Sequence, residues 1–123
     1  MRAVLTLYGI KNCDTVKKAR KFLEAAGIDY AFHDYKKDGV DTVVLKEFMD
    51  EFGSDVILNK RGTTWRKQLD EVKEAVVDKE SAIALMVSEP SLIKRPLVQA
   101  SAKRFVGFDA GGWEIALEMG ELK

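Results

Sequence analysis

The beginning of the chain carries a strand, a helix and a second strand in close succession, and this pattern constrains the fold more than any other feature. Residues 3–8 are almost continuously apolar, as is typical of a central strand covered on both faces. Residues 13–26 place apolar side chains at helical spacing, and Gly27 follows where a helix-terminating glycine is expected. Residues 28–33 alternate between apolar and polar side chains, which predicts a second strand. A strand, a helix and a strand joined this closely form a βαβ unit, so the two strands should be parallel.

Residues 42–88 favour helices throughout and contain no strand pattern. Three helices are predicted, of which the first ends at Gly53 and the last ends before Pro90. Their apolar faces consist of Leu45, Phe48, Met49 and Phe52 in the first helix, Trp65, Leu69 and Val72 in the second, and Ile83, Met86 and Val87 in the third.

The C-terminal part returns to strands. Residues 92–99 and 103–108 predict two strands joined by the tight link 100–102, which together form a hairpin. Asp109 stands where it can cap a last helix that carries Trp113. The order βαβ, helices, ββα indicates a four-stranded mixed sheet with flanking helices and a helical insertion. This is the thioredoxin-like arrangement of the α/β class.

The whole chain is predicted to form one domain, with the thioredoxin-like core at residues 1–41 and 89–120 and the helical insertion at residues 42–88. A length of 123 residues is typical of a single domain. A chain of this size hides roughly two thirds of its unfolded surface when it folds. With 46% hydrophobic and 33% charged residues, the composition is that of a globular protein and not of a disordered one.

Charge and hydropathy argue against two classes of partner. The chain has 20 Lys and Arg against 20 Asp and Glu, so no summed positive field would attract a nucleic-acid backbone. The longest apolar run, residues 82–87, is far shorter than the ~20 residues of a membrane helix. The apolar stretch 3–8 leads into Lys11 and Asn12 and not into a small-residue cleavage site, so it is interpreted as a strand and not as a secretory signal. We therefore expect a cytoplasmic protein with no membrane partner and no direct nucleic-acid partner.

Cysteine and histidine are each present once, as Cys13 and His33. A single cysteine forms no internal disulfide, so stability must come from the apolar core. One cysteine and one histidine are too few ligands for a Cys/His metal site, so no metal is predicted.

Cys13 is the strongest candidate for chemistry because it stands between the first strand and the first helix. At a helix N-terminus, unpaired backbone N–H groups and the helix dipole favour the thiolate, which is the nucleophilic form of cysteine. Lys11, Lys17 and Lys18 add positive charge nearby, whereas Asp14 opposes them. The sequence leaves the direction of the resulting pKa shift open. The alternative is a buried cysteine that acts only as a small apolar side chain.

Arg95 and Pro96 form a second candidate site inside the third predicted strand. Proline is normally excluded from strand interiors, and a cis proline at the start of the strand would explain its presence there. The alternative is an ordinary proline on an edge strand.

Residues 58–66 form a third candidate site because they place several cations and hydroxyl groups beside a glycine, which suits an anion. A solvated helix entry capped by Thr63 or Thr64 would have the same pattern. His33 is a weaker candidate for a general base, since a single histidine in a strand is more often structural.

Five segments, spread in order from residue 4 to about 118, carry a resemblance to a known family. They are residues 8–15 (YGIKNCDT), 33–36 (HDYK), 58–64 (LNKRGTT), 93–96 (IKRP) and 106–108 (VGF). Together they resemble the arsenate reductase (ArsC)/Spx family, in its YffB-like branch.

The resemblance implies a thioredoxin-like fold with a helical insertion and a nucleophilic cysteine, which Cys13 matches. It also implies anion-binding arginines, matched by Arg61 and Arg95, and a cis proline, matched by Pro96. Arsenate reductases of this type use glutathione and glutaredoxin as reductants. The resemblance thus implies glutathione as co-substrate, glutaredoxin as a partner and no bound cofactor.

The chain departs from the family pattern in three places. Residues 9–11 are Gly-Ile-Lys where arsenate reductases have a His-Asn-Pro run. The position of their third anion-binding arginine aligns with Gly107 and not with Arg104. Spx regulators often carry a Cys-x-x-Cys switch, but here the second position is Val16, so an intramolecular disulfide is impossible.

Two functions from different classes remain. The first is a glutathione-dependent monothiol oxidoreductase of the arsenate reductase type, in which Cys13 attacks the sulfur of a disulfide or the arsenic of arsenate, and an external thiol resolves the adduct. Arg61 and Arg95 would hold the anionic partner, and Lys11 and Asn12 would line the same cleft. The second is a non-enzymatic, Spx-like regulator that binds RNA polymerase and acts independently of Cys13.

Overall fold

The computed structural model describes residues 5–123, so residues 3 and 4 of the first predicted strand lie outside it. The chain divides into two compact units, one made of residues 5–38 and 95–123 and the other of residues 39–94. The elements in chain order are β1 (Leu5–Gly9), α1 (Asp14–Ala25), β2 (Tyr30–Asp34), α2 (Thr42–Phe52), α3 (Ser54–Ile57), α4 (Thr63–Arg66), α5 (Asp70–Glu74), α6 (Lys79–Ser88), a 3-10 turn (Pro90–Leu92), β3 (Leu97–Gln99), β4 (Arg104–Val106) and α7 (Ala110–Glu118).

The first unit contains a four-stranded mixed sheet in the order β2-β1-β3-β4. Strands β1 and β2 are parallel, with Leu5 opposite Tyr30, as the βαβ pattern predicts. Strand β3 is antiparallel to β1 and to β4, which confirms the predicted hairpin. Both the α/β class and the thioredoxin-like arrangement predicted from the sequence are confirmed.

Helix α1 covers the sheet because its apolar side chains recur at helical spacing. Val16, Ala19 and Leu23 are fully buried against β1 and β3 in one core cluster. Helix α7 joins the same core through Trp113, whose ring meets three phenylalanine rings edge-on or tilted. Asp109 caps α7 by accepting a hydrogen bond from the backbone N–H of Gly112 at 3.1 Å, as predicted. The three phenylalanine rings around Trp113 belong to Phe22, Phe105 and Phe108.

A polar contact joins the outer strand β2 to α1. The Arg20 Nε donates to the Tyr30 hydroxyl at 3.0 Å, and that hydroxyl donates to Glu24 at 2.6 Å. The Arg20 guanidinium also lies 4.2 Å from the centre of the Phe32 ring. The amino-terminal end of β2 is thereby tied to the middle of the helix.

The second unit is helical, as the sequence predicts for residues 42–88. Asp41 caps α2 by accepting from the N–H groups of Val43 at 3.0 Å and Val44 at 3.2 Å. Asp78 and Ser81 cap α6 reciprocally. The buried side chains of this unit are Leu45, Phe48, Met49, Ile57, Leu58, Ala82, Met86, Leu92 and Ile93. Its tryptophan, Trp65, is half-buried, with the ammonium groups of Lys60 and Lys73 at 5.5 and 5.9 Å from the ring centre.

Two local predictions were wrong, and one short helix was not predicted. The third strand covers Leu97–Gln99 and not residues 92–99, because a 3-10 turn beginning at Pro90 and the imide of Pro96 occupy the segment before it. The single helix predicted around Trp65 is two short helices, α4 and α5, separated at Leu69, which is 67% exposed. Helix α3 was not predicted, since its four residues are too few to show a period.

The apolar face predicted for the third helix is also partly wrong. Met86 is fully buried as predicted, but Val87 is 45% exposed, and Ala82 takes the second buried position of α6. None of the helices formed by residues 5–123 has the length and apolar character that crossing a bilayer requires.

Candidate functional site

One edge of the sheet brings together the loop that carries Cys13 and the segment that carries Arg95. The parallel strands β1 and β2 end at this edge, where Gly9 lies opposite Asp34. Strand β3 runs antiparallel to β1 and therefore begins there, with Leu97 opposite Tyr8. The residues that follow β1 and β2 and those that precede β3 are consequently neighbours.

Cys13 is the N-cap residue of α1, with an extended backbone conformation. Its backbone N–H donates to the carbonyl of Ile10 at 3.1 Å, and its carbonyl accepts from the N–H of Lys17 at 2.9 Å. The side chain is half-buried and packs against the core cluster of the first unit. The thiol therefore stands at the start of a twelve-residue helix and retains access to solvent.

The pKa of the Cys13 thiol is lowered from its ordinary value. Burial alone raises it, because a thiolate is poorly solvated in apolar surroundings. The backbone N–H of Val16, a hydrogen bond and the positive charge from Arg95, and the backbone N–H of Thr15 outweigh that effect. The direction that the sequence left open is thus toward the thiolate, and Arg95 is a cation that acts on the sulfur.

The close contact between Gly9 at the end of β1 and Val16 in α1 determines where the helix, and with it Cys13, begins. A Cβ added at Gly9 would lie 2.7 Å from the Cγ2 of Val16, which is closer than two carbons can pack. Since Val16 is fully buried in the first turn of α1, only a glycine at the end of β1 lets the helix begin at this position.

Arg95 and Pro96 are joined by a cis peptide bond, which is the arrangement that the sequence and the resemblance predict. Pro96 is buried, and its carbonyl accepts a hydrogen bond from the N–H of Gly107 at 2.8 Å. Arg95 is half-buried. The structure therefore brings two of the predicted site residues, Cys13 and Arg95, into direct interaction.

Lys11 and Asn12 are exposed and lie in the turn that leads into Cys13. Arg61 belongs to the second unit. Its backbone N–H donates to Asn59 Oδ1 at 3.1 Å and its carbonyl accepts from an Arg66 Nη at 3.0 Å. An anion-binding role for Lys11, Asn12 and Arg61 stays a prediction.

Gly107, the position that aligns with the third arginine of arsenate reductases, lies at this edge of the sheet. Arg104 does not. Gly107 is hydrogen-bonded to Pro96, whereas Arg104 pairs with Gln99 at the opposite end of β4. His33 faces Tyr8 across the β1–β2 pair, with ring centres 5.1 Å apart.

Sequence reasoning assigned no role to Tyr35, which the structure places at this edge. Its backbone N–H donates to the carbonyl of Gly9 at 2.9 Å, and its side chain is 4% exposed. The signal was present, since a tyrosine directly after a strand and between Asp34 and Lys36 is an unusual residue for a polar turn. Among residues 5–123, no three His, Cys, Asp or Glu side chains are grouped as a metal site would require.

Comparison with known proteins places the chain among proteins of the same size and fold. The family model described as the ArsC family matches residues 8–116. The solved structure of a protein named YFFB is 43% identical, covers 93% of this chain and 99% of its own, and superimposes with a TM-score of 0.86. The solution structure of an arsenate reductase (ArsC) related protein from Brucella melitensis is 45% identical, with a TM-score of 0.72 and coverage of 96% and 98%.

A more distant relative has a regulatory name. The global transcriptional regulator Spx of Listeria innocua is 26% identical over 108 residues, which are 86% of this chain and 81% of Spx. Because the family model extends from the end of β1 into α7 and thus includes both Cys13 and Arg95, the chain is a member of the ArsC family.

Proposed function

We propose that this protein is a glutathione-dependent monothiol oxidoreductase of the arsenate-reductase-like kind, with Cys13 as its nucleophile. One observation carries the proposal: the sole cysteine caps α1 beside Arg95, and its pKa is lowered there although burial opposes this. A thiolate at neutral pH is the species that attacks electrophilic sulfur or arsenic. The kinship with an arsenate reductase (ArsC) related protein supports a reductase.

The reaction on a disulfide needs two exchanges. The Cys13 thiolate attacks the glutathione sulfur of a mixed disulfide, a Cys13–glutathione disulfide forms, and the other thiol leaves and takes a proton from solvent. A second glutathione, as its thiolate, then attacks the glutathione sulfur of this adduct. Oxidised glutathione leaves and the Cys13 thiolate is restored, so the net reaction converts the mixed disulfide and one free glutathione into the substrate thiol and oxidised glutathione.

The chain itself supplies no second thiol for this step. Cys13 is the only cysteine, so the adduct must be resolved by an external thiol, for which we propose glutathione or glutaredoxin. Arg95 is proposed to bind a carboxylate of glutathione or an oxyanion such as arsenate, with Arg61, Lys11, Asn12 and the backbone at Pro96 contributing.

Intact-mass measurement of the glutathione adduct tests the proposal. Wild type, Cys13→Ser and Arg95→Ala are incubated with oxidised glutathione between pH 5 and pH 9, with Lys21→Ala as a control that removes an exposed cation of α1. We expect rapid adduct formation below the ordinary thiol pKa in wild type and Lys21→Ala, slow formation in Arg95→Ala and none in Cys13→Ser.

Turnover is then measured with glutathione and the mixed disulfide of glutathione and 2-mercaptoethanol. Cys13→Ser should keep the fold and lose all turnover above the uncatalysed rate. If Cys13→Ser retained turnover, or if wild-type Cys13 reacted like a free thiol, the oxidoreductase proposal would be wrong.

The kinship with Spx favours a second candidate, a regulator that acts by binding another protein. We propose RNA polymerase as its partner. This candidate predicts that Cys13→Ser still captures polymerase subunits from a bacterial extract, which the oxidoreductase proposal does not predict.

A further inference from the structure

Tyr35 is the buried polar residue at the site edge that the proposed reaction leaves without a role. It directly follows β2, and the turn behind it is held by Asp34, whose Oδ1 accepts from the N–H of Lys36 at 2.9 Å. The N–H of Asp34 in turn donates to Asp38 Oδ2 at 3.0 Å. Together with the bond from Tyr35 to Gly9, these contacts fix the backbone from which the phenol enters the interior.

The hydroxyl of Tyr35 is hidden from solvent and has no hydrogen-bond partner among residues 5–123. Buried hydroxyl groups in folded proteins are nearly always paired, since an unpaired one has lost its water contacts without replacement. A phenylalanine would fill the same space without this penalty. The hydroxyl therefore calls for an explanation other than stability.

The groups that act on this hydroxyl belong to the site. Burial raises the pKa of Tyr35 far above its ordinary value, the Arg95 guanidinium opposes the rise, and Tyr8 adds to it. The phenol thus stays protonated and neutral, and its oxygen is able to accept a hydrogen bond. Arg95 has five N–H donors in a planar fork, and it also acts on Cys13.

The charge opposite Arg95 changes during the proposed reaction. Before attack, the guanidinium faces a thiolate, and after attack the sulfur of the mixed disulfide carries no charge. Arg95 then no longer faces a negative sulfur, and the neutral Tyr35 hydroxyl is an acceptor that introduces no competing negative charge.

We propose that Tyr35 is a positioning residue for Arg95, whose guanidinium donates a hydrogen bond to the Tyr35 hydroxyl when it turns from Cys13 to an anionic oxygen of the substrate. This inference rests on the proposed function. The anionic oxygen belongs either to a glutathione carboxylate or to an oxyanion such as arsenate, and the test separates these two sources.

The test compares a charged and an uncharged disulfide. Adduct formation at Cys13 is timed by intact mass with oxidised glutathione, which carries carboxylates, and with bis(2-hydroxyethyl) disulfide, which carries none. The variants are Tyr35→Phe, Tyr30→Phe, Arg95→Ala and the double variant Tyr35→Phe/Arg95→Ala. Tyr30→Phe is the matched control because it removes a hydroxyl from the other end of β2, where Arg20 and Glu24 bind it.

We expect the rate ratio of the charged to the uncharged disulfide to fall about tenfold in Tyr35→Phe, the factor that one hydrogen bond to a charged group corresponds to. Tyr30→Phe should keep the wild-type ratio. In the Arg95→Ala background, Tyr35→Phe should have no further effect, because the hydroxyl acts through Arg95. The thermal midpoint of Tyr35→Phe should equal or exceed that of wild type, whereas a merely structural hydroxyl would lower it and leave the rate ratio unchanged.

A second arm uses arsenate to protect Cys13 from iodoacetamide. Loss of this protection in Tyr35→Phe identifies an oxyanion as the ligand, and loss of the disulfide preference alone identifies the carboxylate. If Tyr35→Phe matches wild type in both arms, the positioning role is overturned while the oxidoreductase proposal stands. If wild type forms no glutathione adduct, the oxidoreductase proposal fails and the arsenate arm decides alone: weaker protection in Tyr35→Phe supports the role, and equal or absent protection overturns it.

Discussion

The pKa of the Cys13 thiol depends on groups from several parts of the fold. Burial, which opposes the thiolate, and the helix N-terminus, which favours it, are both consequences of where α1 begins. Arg95 comes from a segment more than eighty residues away in the chain, and it adds a charge that no local pattern around Cys13 contains. The lowered pKa of Cys13 therefore depends on the sheet edge as much as on the helix.

Removing Arg95 should shift the pH dependence of alkylation at Cys13. A lowered pKa means that more thiolate is present at a given pH, so Arg95→Ala should move the midpoint of the iodoacetamide rate profile to higher pH. We expect the midpoint to rise, because the guanidinium that stabilises the thiolate is gone. Lys21→Ala loses the same charge at an exposed position and should keep the wild-type midpoint.

Because iodoacetamide is uncharged, this profile reports the thiolate population without any contribution from anion binding. An unchanged midpoint in Arg95→Ala would show that the helix N-terminus alone sets the pKa of Cys13. Intact-mass detection is unambiguous here, since the chain has one cysteine.

The site residues differ in how far the sequence could predict them. Cys13 and Pro96 could be singled out from the sequence, because a cysteine after a strand and a proline inside a strand pattern are local signals. Tyr35 could not, since its significance depends on burial and on a missing hydrogen-bond partner, and only the packed structure shows these. The lysines around Cys13 were expected to add positive charge near it, but Arg95 is the cation that lowers the pKa of its thiol.

At the scale of elements, the end of β1 and the start of α1 behave as one packed joint. Adding a methyl group at Gly9 should destabilise the protein by about 1–3 kcal/mol, because the new Cβ would overlap Val16. Urea unfolding followed by circular dichroism measures the loss. The double variant Gly9→Ala/Val16→Ala should lose less than the sum of the two single variants, since the smaller side chain makes room for the methyl group. Strictly additive losses would contradict the packing role of Gly9.

The cap of α7 is a second element whose contribution is measurable. Asp109→Ala removes the acceptor for the Gly112 N–H and should cost about 1 kcal/mol. Asp109→Asn retains an oxygen at that position and should stay within a few tenths of a kcal/mol of wild type. Both are compared by their urea midpoints at unchanged slope. Equal destabilisation by the two substitutions would point to the charge of Asp109 and not to its hydrogen bond.

Elements with strong periodicity or clear end signals were predictable, and short ones were not. Helices α1 and α2 end near glycines with positive φ, Gly27 and Gly53, which the sequence already marks as helix ends. Helices α4 and α5 are too short to show a helical repeat of apolar residues. Leu69, which was expected inside a helix, lies between them. Strand β3 is shorter than predicted because a 3-10 turn that begins at Pro90 and the buried Pro96 precede it.

For the whole molecule, the order of elements predicted the sheet but not the placement of every residue on it. A βαβ unit requires parallel β1 and β2, and a hairpin requires antiparallel β3 and β4. The antiparallel pairing of β1 with β3 joins strands that are far apart in the chain, so no local pattern predicts it. This pairing places Arg95 near Cys13. Residues 39–94 form a compact helical unit with buried apolar side chains of its own.

Each of the two units contains one of the two tryptophans. Trp113 lies in an apolar cage of phenylalanine rings, whereas Trp65 is partly open to water and faces ammonium groups. Their fluorescence should therefore differ in colour, with emission at shorter wavelength from Trp113. Variants that retain one tryptophan each would give every unit its own optical signal, and ligand binding or unfolding could be followed in each unit separately without attaching a dye to Cys13.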